Sequence, residues 1–399
     1  MSLHEWFGDR EVLLTGVTSE VGRILLEKVL RTFPELKVHA VLRSRFGYSK
    51  DDRVKKIFAS PGYERLRQKD PNAISRVKAL EGNILYEGLG LSKQDKATLR
   101  KVSVVLHAAG PHDYVLDFCQ ELPNLRAVAA ASNLFRYRGQ ISETILNEKV
   151  PDVPLAIVRF PIIGPVCKEP MPGYVEILKG PTALMVGAGY AFGHSDCQAE
   201  LIPADLAGNT LIAAAWERGL RSKSDKPSVY NATTIGCTWD DLIQQGYKWN
   251  QKFAYPTFSY RGMTLNAMLH WWVIFFIEWL PSVICDTVLS LFGAKQRIVA
   301  EHVRVRNALR SLESVASKPW SVERNHVNRL QKRLSPEDQE TFPLVADIDV
   351  ESYVLCAAAA SRKYCVDETS IKIVRVFTRI LLSLIFVALS YILLIFFKP

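Results

Sequence analysis

Residues 11–30 read Glu11-Val12-Leu13-Leu14-Thr15-Gly16-Val17-Thr18-Ser19-Glu20-Val21-Gly22-Arg23-Ile24-Leu25-Leu26-Glu27-Lys28-Val29-Leu30. The short apolar run Glu11–Thr15 predicts a strand, and the spacing of Ile24, Leu25, Val29 and Leu30 predicts a helix directly behind it. Gly16 and Gly22 bracket the turn between them, with Ser19 where a middle glycine would stand. Small residues in such a turn let the backbone approach a pyrophosphate, which then rests on the positive end of the helix. Thr15, Gly16, Thr18, Ser19, Val21 and Gly22 are therefore the expected dinucleotide contacts. Ser19 is expected to weaken binding if the turn demands a positive φ there.

Outward from this turn, Val38–Leu42 predicts a second strand that ends in Arg43-Ser44-Arg45. An NAD-binding protein would place an acid here for the ribose hydroxyls, whereas Arg43 and Arg45 suit the 2′-phosphate of NADP(H). A third strand, Val77–Leu80, leads into Glu81-Gly82-Asn83, and a fourth, Val102–Leu106, into His107-Ala108-Ala109-Gly110. Asn83 and Ala108 join the expected cofactor contacts. A fifth apolar run, Ala127–Ala131, ends at Ser132, and the roughly twenty residues before it leave room for one crossover helix of about a dozen residues. Strands alternating with helices predict an α/β fold with a doubly wound parallel Rossmann sheet.

The C-terminal third is different in kind. Residues 380–397 read ILLSLIFVALSYILLIFF without a charge, and at about 1.5 Å per residue they reach roughly 27 Å, a thin bilayer. Lys372, Arg375 and Arg379 precede the run, so a single-pass C-terminal transmembrane anchor facing the cytosol is expected. The short span favours the endoplasmic reticulum, with peroxisome and lipid droplet as the other candidates. Ala267–Leu280 is also apolar but contains His270 and Glu278 and stops at Pro281. It reads either as an interfacial or re-entrant element, with Trp271, Trp272 and Trp279 at a water–lipid boundary, or as an ordinary core helix.

Formal charge is +9, and Lys295–Arg333 holds ten cationic residues against Glu301, Glu313 and Glu323. That stretch suits a solvated helix face, an anionic membrane surface, phosphate groups of a ligand or nucleic acid. Seven dispersed cysteines without a C-x-x-C pair point to neither a disulfide framework nor a metal site, and a reducing compartment fits them. Met1–Glu11 carries no apolar run, so no secretory leader is expected.

The segments TGVTSEVG (15–22), VLRSR (41–45), EGN (81–83) and HAAG (107–110) resemble the extended short-chain dehydrogenase pattern. LAIVR (155–159), EPMPGY (169–174), Gly180-Pro181 and IPAD (202–205) follow in the order and spacing of fatty acyl-CoA reductases. Trp279-Leu280-Pro281, Asp286, Gly293, Trp320, LSPED (334–338), Phe342, DID (347–349) and RKY (362–364) resemble that family's C-terminal domain. A sterol-type dehydrogenase or epimerase shares the N-terminal motifs but leaves LSPED and RKY unexplained. The resemblance implies an NADP-binding reductase domain at 1–250, a mostly helical domain at 251–370 and a membrane anchor at 371–399. It also implies NADPH as cofactor, a long-chain acyl-CoA as substrate, two hydride transfers to a fatty alcohol, and a lipid bilayer rather than nucleic acid as partner.

The family's Tyr-x-x-x-Lys pair, counted back from the Leu155 strand, falls on Phe135 and Gly139. Tyr137 lies two residues away, with Ile141 in place of the lysine that makes a phenol acidic. Ser132 matches the family's serine that hydrogen-bonds the substrate carbonyl; Ser132 and Tyr137 are thus the candidate catalytic residues. Family members carry a long loop where this chain passes from Ser132 to Phe135, so an internal segment is missing. Two readings follow: a reductase, or a non-catalytic membrane-tethered paralogue that binds NADP or acyl-CoA and regulates a complete reductase as its oligomeric partner.

Overall fold

The computed structural model describes residues 1–135, 152–176, 178, 180–186, 188–222, 225–249, 252–253, 255–258, 260–293, 295, 297–365, 369–380, 383 and 387. Its strands, in chain order, are β1 (Glu11–Thr15), β2 (Lys37–Leu42), β3 (Val77–Glu81), β4 (Val102–His107), β5 (Ala127–Asn133), β6 (Leu155–Phe160), β7 (Ile162–Gly164), β8 (Tyr190–Phe192), β9 (Leu201–Pro203), β10 (Ser228–Asn231) and β11 (Gly262–Thr264). The chain forms two compact units. Unit 1 comprises Met1–Tyr174, Glu200–Ile235 and Trp320–Ile348; unit 2 comprises Val175–Ala199, Gly236–Pro319 and Asp349–Pro399. These units interleave along the chain, whereas the division expected from the sequence runs consecutively with boundaries at 250 and 370.

Unit 1 is built on a seven-stranded sheet in the order β10-β6-β5-β4-β1-β2-β3, all parallel. Sheets of this kind are covered on both faces, so their strands must be apolar throughout. Accordingly β4 is buried at all six positions, and two separate hydrophobic clusters flank the sheet, one with Val12 and Leu14 of β1, the other with Leu13. From β1 the chain winds outward through β2 and β3, then returns beside β1 with β4 and winds the other way. The order therefore reverses between β1 and β4, and ligands of such sheets bind beyond the strand ends at that point. The doubly wound parallel sheet expected from the sequence is the one observed. One detail differs: between β4 and β5 the crossover helix is Asp113–Cys119, seven residues instead of about a dozen, with turns taking up the remaining chain.

Several of the motif residues hold this unit together. Helix α1 (Leu3–Phe7) is pinned by Asp338, whose carboxylate accepts the N–H groups of Leu3 at 2.8 Å and His4 at 3.3 Å, donors that the first turn of a helix leaves unpaired. Asp205 accepts three backbone N–H groups, from Cys167, Lys168 and Glu169, at 2.9, 2.8 and 3.1 Å. That fixes the loop so that Glu169 meets Lys28 at 2.6 Å and Arg31 at 2.7 Å on helix α2 (Glu20–Thr32), together with Arg65 at 2.7 Å. Gly173, at φ +74°, turns the loop back, and Tyr174 packs on Gly62, where a Cβ would lie 2.6 Å from the ring.

Unit 2 is mostly helical, with β8 and β11 as a two-stranded parallel sheet. Its helix at 267 does not stop at Pro281: Ala267–Leu291 is continuous over 25 residues, long and apolar enough by length and composition to cross a membrane. Ile274–Trp279 is a π-helical segment, and Pro281 sits in the first turn of the α-helix Leu280–Leu291 behind it. A proline lacks an N–H and normally ends a helix, but the first turn after a π-segment tolerates one. Asp286 on this helix accepts the N–H groups of Arg297, Ile298 and Val299, capping the helix Ile298–Ala316. Apart from Ile380, Ser383 and Val387, the expected anchor at 380–397 lies outside the described residues.

Candidate cofactor site at the carboxyl edge of the sheet

The turn after β1 is folded tightly against the end of β4. Gly16 has φ +75°, and a Cβ there would lie 2.7 Å from the carbonyl of Ala108. Ala108 in turn donates its N–H to the carbonyl of Thr15 at 3.0 Å. Gly22 is more constrained still: a Cβ would lie 2.1 Å from the carbonyl oxygen of Gly16. Ser19 is at φ −72° and ψ 164°, an extended conformation open to any residue, so the strain expected of it does not arise. Its hydroxyl instead caps α2, accepting the N–H of Gly22 at 3.0 Å and donating to the carbonyl of Ala108 at 3.0 Å. Val21 is buried and Thr18 is half-buried. The two glycines let backbone pack directly on backbone, which draws the turn tight against the helix end that a pyrophosphate approaches.

Beside it, four arginines converge. Arg43 and Arg45 are exposed just beyond β2, and Arg53, on helix Lys50–Phe58, donates to the carbonyl of Arg43 at 2.5 Å. The Arg53 guanidinium is held below its ordinary pKa by partial burial, then by the charges of Arg43, Arg45 and Arg23, which identifies the cluster. Ser44 donates both its N–H and its hydroxyl to Glu81, each at 2.6 Å, so a carboxylate stands beside these cations. Like charges gathered this closely make a site for an anion. Of these four, Arg43 and Arg45 are the ones expected from the sequence, and Arg23 and Arg53 are added by the structure. Arg23 directly follows the turn and was legible as the next residue; Arg53 carries no local signal, because only the packing of its helix brings it there.

Asn83 is committed to the turn after β3: its N–H bonds the carbonyl of Leu89 at 2.7 Å, and its side-chain oxygen accepts from Leu85 at 3.2 Å. At the end of β4, His107 is fully buried with Nδ1 2.5 Å from the hydroxyl of Thr15, tying β1 to β4 at the reversal. Burial, and then the neighbouring His112 ring 4.9 Å away, push its pKa down to about 3, so it is a neutral brace.

Strand β5 runs two residues further than its apolar stretch, so Ser132 and Asn133 pair with Arg159 and Phe160 of β6. Gly16, Arg43, Asn83, Ala108 and Ser132 thus all lie at one edge of the sheet, where successive parallel strands end. Phe135 is fastened by its N–H to the side chain of Asn133 at 2.9 Å and packs edge-on to Trp320 at 4.8 Å between ring centres. It has no proton to give. Tyr137 and Gly139 lie outside the described residues.

The basic stretch at 295–333 is not one phosphate-binding surface. It is divided between the units, and several of its cations are engaged: Arg306 with the buried Glu278 at 3.2 Å, Arg304 with the carbonyl of Cys365 at 3.1 Å, and Arg324 and Arg333 with Glu200 and Glu217.

Two family models match the chain, both described as "Male sterility protein", an NAD-binding one over residues 14–135 and a second over 277–368. Among curated relatives, fatty acyl-CoA reductase 1 of Rattus norvegicus is 25% identical over 452 residues, covering 92% of this chain and 87% of that protein. Fatty acyl-CoA reductase 2 of Bos taurus is 24% identical over 445 residues, covering 91% and 86%. The reductase domain of a nonribosomal peptide synthetase from Mycobacterium tuberculosis superposes with TM-score 0.59 at 15% identity, covering 88% of this chain and 91% of that one, which shows a shared fold. The rat alignment is longer than the chain itself. Because 92% of 399 residues is about 367, about 85 of its 452 positions have no counterpart here. The NAD-binding match ends at Phe135, beside the place where the chain passes directly from Ser132.

Proposed function

We infer the reaction of this chain from the family to which it belongs, the fatty acyl-CoA reductases, oxidoreductases that use a nicotinamide cofactor. The reading is NADPH-dependent reduction of a long-chain acyl-CoA to a fatty alcohol. One acyl-CoA, two NADPH and two protons give the alcohol, free coenzyme A and two NADP⁺, with an aldehyde between the two steps. The observation that carries the choice of NADPH is the pair of exposed arginines just beyond β2, Arg43 and Arg45, with Arg53 bonded to the carbonyl of Arg43 beside them.

NADPH supplies the hydride; the rest falls to side chains. Gly16 and Gly22 hold the turn close at the helix end where the pyrophosphate rests, and the arginines take the 2′-phosphate, planar guanidinium against tetrahedral oxyanion. Ser132, at the end of β5, holds the substrate carbonyl, and Tyr137 is the proposed proton donor. The lipophilic stretch at 380–397 seats the chain in a membrane with its reductase unit in the cytosol, the endoplasmic reticulum being favoured by the shortness of the span. The non-catalytic reading rests on Phe135 and Gly139 in the sequence, and the reductase relatives do not favour it.

Arg43→Ala is expected to weaken NADPH while leaving NADH unchanged, by roughly 10- to 100-fold if one charge-assisted contact of about 1.5–3 kcal/mol is lost. Ser132→Ala is expected to lower kcat by about 10²-fold, the usual cost of one donor to a developing oxyanion, with cofactor affinity retained. The reading as a whole is tested by incubating the detergent-solubilised full chain with NADPH and a C16 or C18 acyl-CoA. Fatty alcohol at two NADPH per product is the expected outcome; NADPH consumption without alcohol, or none at all, overturns it.

A further inference from the structure

The helix Ala267–Leu291 has two unlike faces. Outward it presents Met268, Trp271, Trp272, Phe276, Trp279, Ile284 and Leu291, with exposures of 81%, 59%, 49%, 42%, 39%, 47% and 79%. The early members recur at three- and four-residue spacing, one stripe of the helix surface. Trp271, Phe275 and Trp279 stack in series, at 5.3 and 5.4 Å between ring centres, so these indoles form a stiff aromatic ridge. Soluble surfaces rarely carry a contiguous apolar patch of this extent, and such a patch marks an interaction site.

The inward face is polar and fastened. Glu278 is buried and accepts the N–H of Tyr190 at 2.8 Å and a guanidinium N–H of Arg306 at 3.2 Å. Asp286, also buried, holds the three N–H groups that open the helix Ile298–Ala316. A transmembrane path for Ala267–Leu291 would therefore take both acids, and the helix that bears Arg304, Arg306 and Arg310, into hydrocarbon. Each charge at the bilayer centre costs about 2.5–3.5 kcal/mol on insertion scales, so length and composition mislead here.

We propose that Ala267–Leu291 lies in the plane of a membrane, with its Trp271–Trp279 ridge sunk into the headgroup and upper acyl region and its acidic face kept on the protein. Lipid is favoured over a protein partner by what adjoins the helix. Residues 369–380 form a helix whose Val374 and Phe377 join Cys285 and Leu289 in one apolar cluster, and that helix leads at 380 into the eighteen-residue lipophilic run. The helix that leads in sequence into the lipophilic run thus packs against Ala267–Leu291. Lys372, Arg375 and Arg379 are exposed along the same short helix, where anionic headgroups attract cations. Three of the chain's eight tryptophans lie on the exposed face of Ala267–Leu291, the residue type that keeps an N–H wet and a ring buried at such a boundary.

This rests on the membrane reading above, and the test separates the two. The full chain is reconstituted in phosphatidylcholine–phosphatidylserine vesicles whose acyl chains are brominated near the headgroup or near the bilayer centre, and tryptophan quenching is compared with that of W271F/W272F/W279F. All three positions are exposed, so the variant keeps the fold, which its unchanged melting temperature checks. The expected result is strong quenching by the shallow bromines, little by the deep ones, and loss of most of the shallow signal in the variant, with both proteins floating with the vesicles. Quenching by the deep bromines that the variant loses would show a span and overturn the proposal. So would flotation without quenching at the ridge, including the case where a second copy covers it. Failure of the wild-type chain to float at all would remove the membrane reading itself.

Discussion

Gly22→Ala is expected to abolish dinucleotide binding, a loss of at least about 100-fold, and to destabilise unit 1 by about 1–3 kcal/mol. The added Cβ would stand 2.1 Å from the carbonyl oxygen of Gly16, a contact no Cβ makes, and the atom it meets is backbone held by the N–H of Ser19 at 2.8 Å. Either the turn or the start of α2 must move, an overpacking of the usual magnitude. Movement of the turn misaims the N–H groups at the helix end, and two charge-assisted bonds to a pyrophosphate lost together are worth about 3 kcal/mol. Gly208→Ala is the control. Gly208 lies inside helix Ala204–Gly219, its Cβ would meet Leu25 at an ordinary 3.9 Å, and alanine there is expected to stabilise by roughly 0.5–1 kcal/mol. Thermal melts and NADPH titration of both variants check the pair.

Glu169→Ala is expected to cost about 3–5 kcal/mol, because it takes the carboxylate partner from the buried Lys28 and leaves Arg31 with Glu27 alone. Lys28 and Arg31 are 5% and 9% exposed, and without Glu169 the buried Glu27, 2.7 Å from Arg31, is the carboxylate left to balance both cations. Burial by itself would raise the Glu169 carboxyl, but Lys28, Arg31 and Arg65 overrule it and draw the pKa down to about 2. A carboxyl depressed in the folded state contributes stability that is complete above its ordinary value of 4.5 and is lost as pH falls toward 2. Denaturant titrations at neutral pH and near pH 3 should therefore show the penalty of the substitution shrinking in acid. Equal penalties at the two values would mean that lost packing, and not charge, is what the variant removes.

The sheet was legible because parallel strands buried on both faces must be nearly continuous apolar runs, as Val102–Leu106 and Ala127–Ala131 are. The cradle was legible because glycines are forced where backbone meets backbone. What local pattern does not carry is set by tertiary contact. Glu169 read as a motif residue, and its role emerges only when α2 lies beside it. Arg53 read as one charge on a polar helix until β2 brought Arg43 within 2.5 Å. Pro281 read as a stop signal, since nothing in Ala267–Leu280 announces the π-segment that carries the helix onward to Leu291. Ser19 read as a replacement glycine and proved to be the cap of α2, a role that serine fills well. The basic stretch left several partners open, and its arginines pair with separate acids in two units, which composition cannot show.

Calorimetric titration of the full chain with NADPH and then NADH tests the cofactor site most directly. One NADPH is expected to bind per chain, at least about 10-fold tighter than NADH, as one arginine–phosphate contact of about 1.5–3 kcal/mol requires. NADH binding as tightly as NADPH, or no heat with either, would contradict it.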